Sequence, residues 1–114
     1  MTNSSNPEDI RTFDFRVPRF PAGFHFFVEV NASRARQDAV CVDIGIDGMA
    51  ADLSQNLEPT TQVTLWLLFA GETVPARIQA SVEYRRNQRH GFKFLYSSPL
   101  ERAAVETFIQ SIQG

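Results

Sequence analysis

Two clusters in this sequence carry residue types able to hold an anionic ligand. The first is Phe15-Arg16-Val17-Pro18-Arg19-Phe20-Pro21, where Arg16 and Arg19 stand in a stretch that Pro18 and Pro21 keep extended. A guanidinium is planar and permanently charged, and its fork of donors suits phosphate oxygens and guanine edges. The second is Asp43-Ile44-Gly45-Ile46-Asp47-Gly48. Gly45 and Gly48 permit backbone angles and approaches that a side chain would forbid, and Asp43 sets a carboxylate beside that bare backbone. Asp and Gly are also the usual residues of plain turns, so the corner by itself is equally an ordinary bend.

The surrounding pattern is mostly period two. Phe24, Phe26, Val28 and Val30 alternate as a first strand, followed by a polar connection from Asn31 to Asp38. Val40, Val42 and Ile44 share one parity and are expected to face a core, and after the corner Met49, Ala51 and Leu53 resume the alternation. Gln62 to Phe69 is apolar on both parities, so Trp66 and Leu68 need a cover outside the sheet. Val74 through Tyr84 gives the cleanest alternation, with Pro75 marking an edge or bulge, and Phe92, Phe94 and Tyr96 form a last inward face. Ser98-Pro99-Leu100-Glu101 is a helix start with a cap, a first-turn proline and a capping box. Leu100, Ala104, Phe108 and Ile112, flanked by Val105 and Ile109, make the apolar stripe expected to cover Trp66 and Leu68.

An arginine pair before the first strand, a glycine corner about twenty-four residues on, and strands ending in one helix resemble the PilZ domain family. That family carries Arg-x-x-x-Arg and then Asp/Asn-x-Ser-x-x-Gly, which together clasp the bacterial messenger cyclic di-GMP. The resemblance runs from about Phe13 to Ile112 and implies a mainly β fold, a six-stranded antiparallel barrel with a C-terminal α-helix. Residues 1 to 12 are read as a flexible tail and 13 to 114 as the domain. The implied ligand-binding residues are Arg16, Arg19, Asp43, Gly45 and Gly48: arginines on phosphate and guanine edges, Asp43 on the amino and imino protons of a guanine, Gly48 allowing close approach. Two positions depart from the pattern. Phe15 stands where the first arginine belongs, leaving Arg16 one residue out of step, and Gly45 replaces the serine. Losing one charged and one neutral hydrogen bond forfeits about 2 to 4.5 kcal/mol, on the order of thirty- to a thousandfold in affinity. Arg16, Arg34 or Arg36 swinging in would soften that loss.

Composition narrows the classes further. At 114 residues the chain is one domain with its own core. No apolar run approaches the roughly 18 residues that span a bilayer and no leader precedes it, so the expected location is cytoplasmic, without membrane insertion. A net charge of −2 argues against general nucleic-acid binding, although ten of the eleven basic residues are arginine. Cys41 has no partner and reads as a partly buried, inert thiol. His25 and His90 show no metal-ligand spacing, and no serine sits in a nucleophile motif, so neither a cofactor nor an enzyme is expected. Arg85-Arg86-Asn87-Gln88-Arg89 is read as a solvated hairpin tip rather than the family's arginine motif. The expected function is a non-enzymatic signalling adaptor that binds cyclic di-GMP and relays to a protein partner. The alternative is a PilZ-like protein without nucleotide, working by protein contacts through Phe13, Phe15 and the helix. Single-stranded nucleic-acid binding around residues 13 to 27 is a third and weaker reading.

Overall fold

The computed structural model describes residues 17–69 and 71–113. The expected tail, Phe13, Phe15 and Arg16 lie outside the described residues. Among the described residues, seven strands and one helix follow in order: β1 (Phe20–Pro21), β2 (His25–Val30), β3 (Arg36–Ile44), β4 (Gly48–Leu53), β5 (Gln62–Leu67), β6 (Ala76–Arg86), β7 (Arg89–Phe94) and α1 (Pro99–Gln113). Antiparallel neighbours run β3-β2-β5-β6-β7-β4, and a β3–β4 pairing closes the ring into a six-stranded barrel. The short β1 is the extra strand, pairing only with the end of β3, Phe20 opposite Ile44 and Pro21 opposite Asp43.

The alternations of β2, β5 and the middle of β6 point as expected: Phe26, Val28, Val63, Leu65, Leu67, Ile78, Ala80 and Val82 fill the barrel, whereas Val74, expected to open the last of these, lies before β6 and is exposed. Strand β3 corrects its expected parity. Ala39 and Cys41 are the buried residues, and a bulge between Cys41 and Asp43 leaves Val42 without a partner on β4 before Ile44 turns inward. Cys41 is therefore fully buried, which pushes its thiol pKa up to about 12 by desolvation, with the Asp43 charge adding to it. A second shift between Val82 and Tyr84 turns Tyr84 outward, where its ring lies in the space a side chain on Gly91 would need. The connection before β3 is shorter than expected because pairing with β2 already begins at Arg36.

The helix closes the end of the barrel where β2 begins and β3, β5 and β7 finish. Phe108 stacks on Phe69 with ring centroids 4.4 Å apart and meets Phe24 edge-on at 5.1 Å. Val105, Phe108 and Ile109 are its buried residues, so the docked face is turned from the expected stripe: Leu100 is 81% exposed and Ile112 is also on the surface. Ser98 caps its start as expected, its Oγ accepting from the Glu101 N–H, but the Glu101 carboxylate reaches one residue further back than the expected box and accepts from the Ser97 N–H at 2.9 Å. Trp66 and Leu68 are not its targets. Trp66 lies under Arg36 and Arg77, whose guanidinium carbons sit 4.6 and 5.4 Å from the ring centroid, and Leu68 is half exposed. No helix among the described residues is long and apolar enough to cross a membrane.

Candidate functional site

Pairing of β1 with β3 lays the N-terminal segment along the corner between β3 and β4. Arg19 donates from Nη1 to Asp43 Oδ1 at 3.0 Å and from Nε to Asp47 Oδ1 at 3.2 Å. All three side chains are about a third to a half exposed, so the cluster sits on the barrel rim and faces solvent. Burial alone would lower the Arg19 pKa, but the bond to Asp43 and the charge of Asp47 outweigh it and the net direction is upward.

The corner itself is tightly tied. The Gly45 N–H donates to Gly48 O at 2.8 Å, the Phe94 N–H to Asp47 O at 2.9 Å, and the Tyr96 hydroxyl to Ile46 O at 2.7 Å. Burial raises the Tyr96 pKa far above its ordinary value, which keeps the phenol a donor. The two glycines have different neighbours. A Cβ on Gly45 would lie 2.5 Å from the Pro18 carbonyl oxygen and 2.8 Å from Arg19 Cδ. A Cβ on Gly48 would collide with the Phe92 carbonyl oxygen, so that glycine admits strand β7. Neither has a positive φ; close approach is the requirement at both.

Of the residues expected from sequence, Arg19, Asp43 and Gly45 meet at one place and Gly48 closes the turn beside them. Arg16 lies outside the described residues. Arg34 and Arg36 are not spare cations for this site, since both bind the buried Glu29, at 3.1 Å each, at the other end of β2. Asp47 and Tyr96 were missed. Asp47 occupies an unspecified position of the family pattern, and nothing in the sequence links Tyr96 to the corner fifty residues earlier. His90 is a core residue: Nε2 accepts from the Leu57 N–H at 3.0 Å and Nδ1 faces Gln88 O at 2.8 Å. At the hairpin tip, Arg89 pairs with Asp52 and Arg85 with Glu58. Among the described residues no group of His, Cys, Asp and Glu is placed to hold a metal ion.

Residues 11–111 match the PilZ domain family. No protein of curated function matches the sequence. Among solved structures, the PilZ domain of CeSA from a cellulose-synthesizing bacterium superposes with a TM-score of 0.72 at 18% identity, covering 85% of this chain and 99% of that one. The PilZ domain of YcgR from Escherichia coli, solved with c-di-GMP, gives 0.67 at 16% identity, covering 86% and 90%. The longer YcgR chain in complex with c-di-GMP gives 0.65 at 20% identity, and this chain spans 45% of its length. At such identities the superpositions establish the shared fold, and the match over residues 11–111 establishes the family: this chain belongs to the PilZ domain family.

Proposed function

We propose that this protein is a non-enzymatic signalling adaptor that binds cyclic di-GMP at the Arg19–Asp43–Gly48 corner and passes the change to a protein partner. The observation that carries the reading is the contact between Arg19 and Asp43, because it joins the N-terminal arginine segment to the glycine corner. In the bound form Arg19 and Arg16 take phosphate oxygens and a guanine edge, and Asp43 accepts the amino and imino protons of a guanine. The partner then meets the surface that the nucleotide completes at this corner. Membership of a family of nucleotide receptors and the likeness to a PilZ domain solved with c-di-GMP support the ligand class.

One observation favours the alternative in which nucleotide binding is lost. Position 45 has neither the family's hydroxyl nor room for one while Pro18 and Arg19 lie where they do. Isothermal calorimetry with cyclic di-GMP separates the two. A saturable titration that Asp43→Ala removes, with an unchanged melt, supports the receptor. No heat at any concentration leaves the adaptor acting by protein contacts alone.

A further inference from the structure

The groups that would receive the nucleotide are already engaged with one another. A guanidinium has two edges of paired donors, Nε with Nη2 and Nη1 with Nη2, and each presents a fork to a phosphate or a guanine edge. In Arg19 one member of each fork is taken, Nε by Asp47 and Nη1 by Asp43. The Pro18 carbonyl and the Arg19 side chain occupy the space above Gly45 that a Cβ would need. The corner beneath does not yield easily, since its Gly45 N–H and the carbonyls of Ile46, Asp47 and Gly48 are all hydrogen-bonded.

We infer that this is a self-closed form of the site, in which Asp47 competes with the ligand for Arg19 and the bare backbone of Gly45 is the seat on which residues 18 and 19 close. The inference rests on the corner being a cyclic di-GMP site and adds its regulation. Binding exchanges a carboxylate partner of Arg19 for a phosphate or guanine partner, and the segment lifts from Gly45 as it does so. Only Asp43 of the two acids belongs to the ligand motif, so Asp47 sets the threshold without touching the ligand. Arg19, Asp43 and Asp47 are partly exposed, which keeps the clasp weak enough for a dianion to open.

Two readouts on Asp47→Ala test this, with Asp52→Ala as control. Asp52 pairs with Arg89 at the other end of β4, and its removal changes the net charge equally without touching the corner. The first readout is hydrogen exchange of the Arg19 Nε–H by nitrogen-15 NMR; the second is calorimetry with cyclic di-GMP. The expected result for Asp47→Ala is faster Nε–H exchange and an affinity raised by up to about fivefold, the range of one exposed ion pair, with neither change in Asp52→Ala. Unchanged Arg19 exchange overturns the clasp, whatever the affinity does. Faster exchange with an unchanged measurable affinity overturns Asp47 as a competitor. Faster exchange in a protein that takes up no cyclic di-GMP in any variant overturns the nucleotide reading and leaves the closure standing.

Discussion

Arg19 and Asp43 are separated by twenty-four positions in sequence and by 3.0 Å in space, and a two-residue strand makes the difference. Phe20 opposite Ile44 and Pro21 opposite Asp43 fix the antiparallel register, which brings residue 19 alongside residue 45. The Ala22 N–H then bonds to Val42 O and the Cys41 N–H to Phe24 O, so the chain stays in step with β3 until β2 takes over. The arginine is thus delivered to the corner by backbone pairing, and its ion pairs only finish the placement.

Arg19→Lys is therefore expected to fold as the parent does and to bind cyclic di-GMP at least about tenfold more weakly, since a charge-assisted bond is worth about 1.5 to 3 kcal/mol and an ammonium has no fork. The exposed ion pairs contribute about 1 kcal/mol or less to stability, so the melt should hardly move. Calorimetry beside a thermal melt checks both halves. Equal affinity in Arg19→Lys would show that only the charge matters.

Phe108 and Leu100 share the helix and differ in fate. Phe108→Ala removes the ring stacked between Phe69 and Phe24 and should cost about 3 to 5 kcal/mol in urea unfolding. Leu100→Ala, at a surface position, should stay within about 0.5 kcal/mol. A large loss at Leu100 would mean that the helix docks by its other face.

That contrast marks where the sequence speaks and where it stops. Alternation along β2, β5 and β6 is visible because large apolar residues fall on one parity over several positions, and the helix announces itself through its cap. Strand β3 misleads because its true inward residues, Ala39 and Cys41, are small or unremarkable, while the bulge shifts the phase just before Ile44. A bulge changes phase without changing composition. The helix stripe is expected along Leu100, Ala104, Phe108 and Ile112 with Val105 and Ile109 at its flank, whereas the docked face is Val105, Phe108 and Ile109; Leu100 and Ile112 are apolar but lie near the helix ends, on the surface. Trp66 needed a cover, and the cover is two arginines from β3 and β6, a pairing that only the sheet register reveals. In the site, Arg19 and Asp43 were legible from the family spacing; Asp47 was not, because its role depends on where Arg19 points.

Thr60 carries a φ of 76°, left-handed for a β-branched residue, at the third position of the Glu58-Pro59-Thr60-Thr61 turn, which the Thr61 N–H closes on Glu58 O at 3.1 Å. Glycine is the residue this turn ordinarily takes there. Thr60→Gly relieves about 1 to 2 kcal/mol of conformational strain and loses about half of that to the greater freedom of the unfolded chain. The net expectation is a gain of about 0.5 to 1 kcal/mol, read as a rise in the urea midpoint at constant slope. A lower midpoint would show that the Thr60 side chain makes up for its own strain.

Glu29 is the one buried acid in the described residues, and its carboxylate accepts from Arg34, Trp66 Nε1 and Arg36. The bond from Arg34, with those from Trp66 and Arg36, holds its pKa below the ordinary value despite desolvation. The folded state therefore binds this proton less readily than the unfolded chain. Its contribution is present above the unfolded value of about 4.3 and is lost as pH falls through the lower folded value. Urea unfolding at several pH values should show an acid limb that Glu29→Gln flattens, with lower stability at neutral pH. An acid limb identical in the variant would assign the effect to other carboxylates.

The two corner glycines should respond in opposite ways to a side chain. A Cβ at Gly48 meets the Phe92 carbonyl, part of the β4–β7 ladder that closes the barrel, and neither backbone can move without breaking that pairing. Gly48→Ala is expected to cost about 1 to 3 kcal/mol or more by overpacking, and to weaken ligand binding only through the fold. A Cβ at Gly45 meets Pro18 and Arg19, which precede the short edge strand β1 and have no strand partner of their own, so they can lift away. Gly45→Ser should therefore melt close to the parent while moving the Arg19 Nε–H resonance. In a segment already lifted, the serine hydroxyl adds a bond of about 0.5 to 1.5 kcal/mol to the nucleotide. Combining it with Phe15→Arg restores both of the family's missing groups, and the double variant should bind cyclic di-GMP at least about tenfold more tightly than the parent. Asp43→Ala should cancel that gain. A folded double variant with parent affinity would show that the alignment through Arg19 does not describe the ligand site, and would leave the clasp of Arg19 by Asp43 and Asp47 as a structural tie between the N-terminal segment and the barrel.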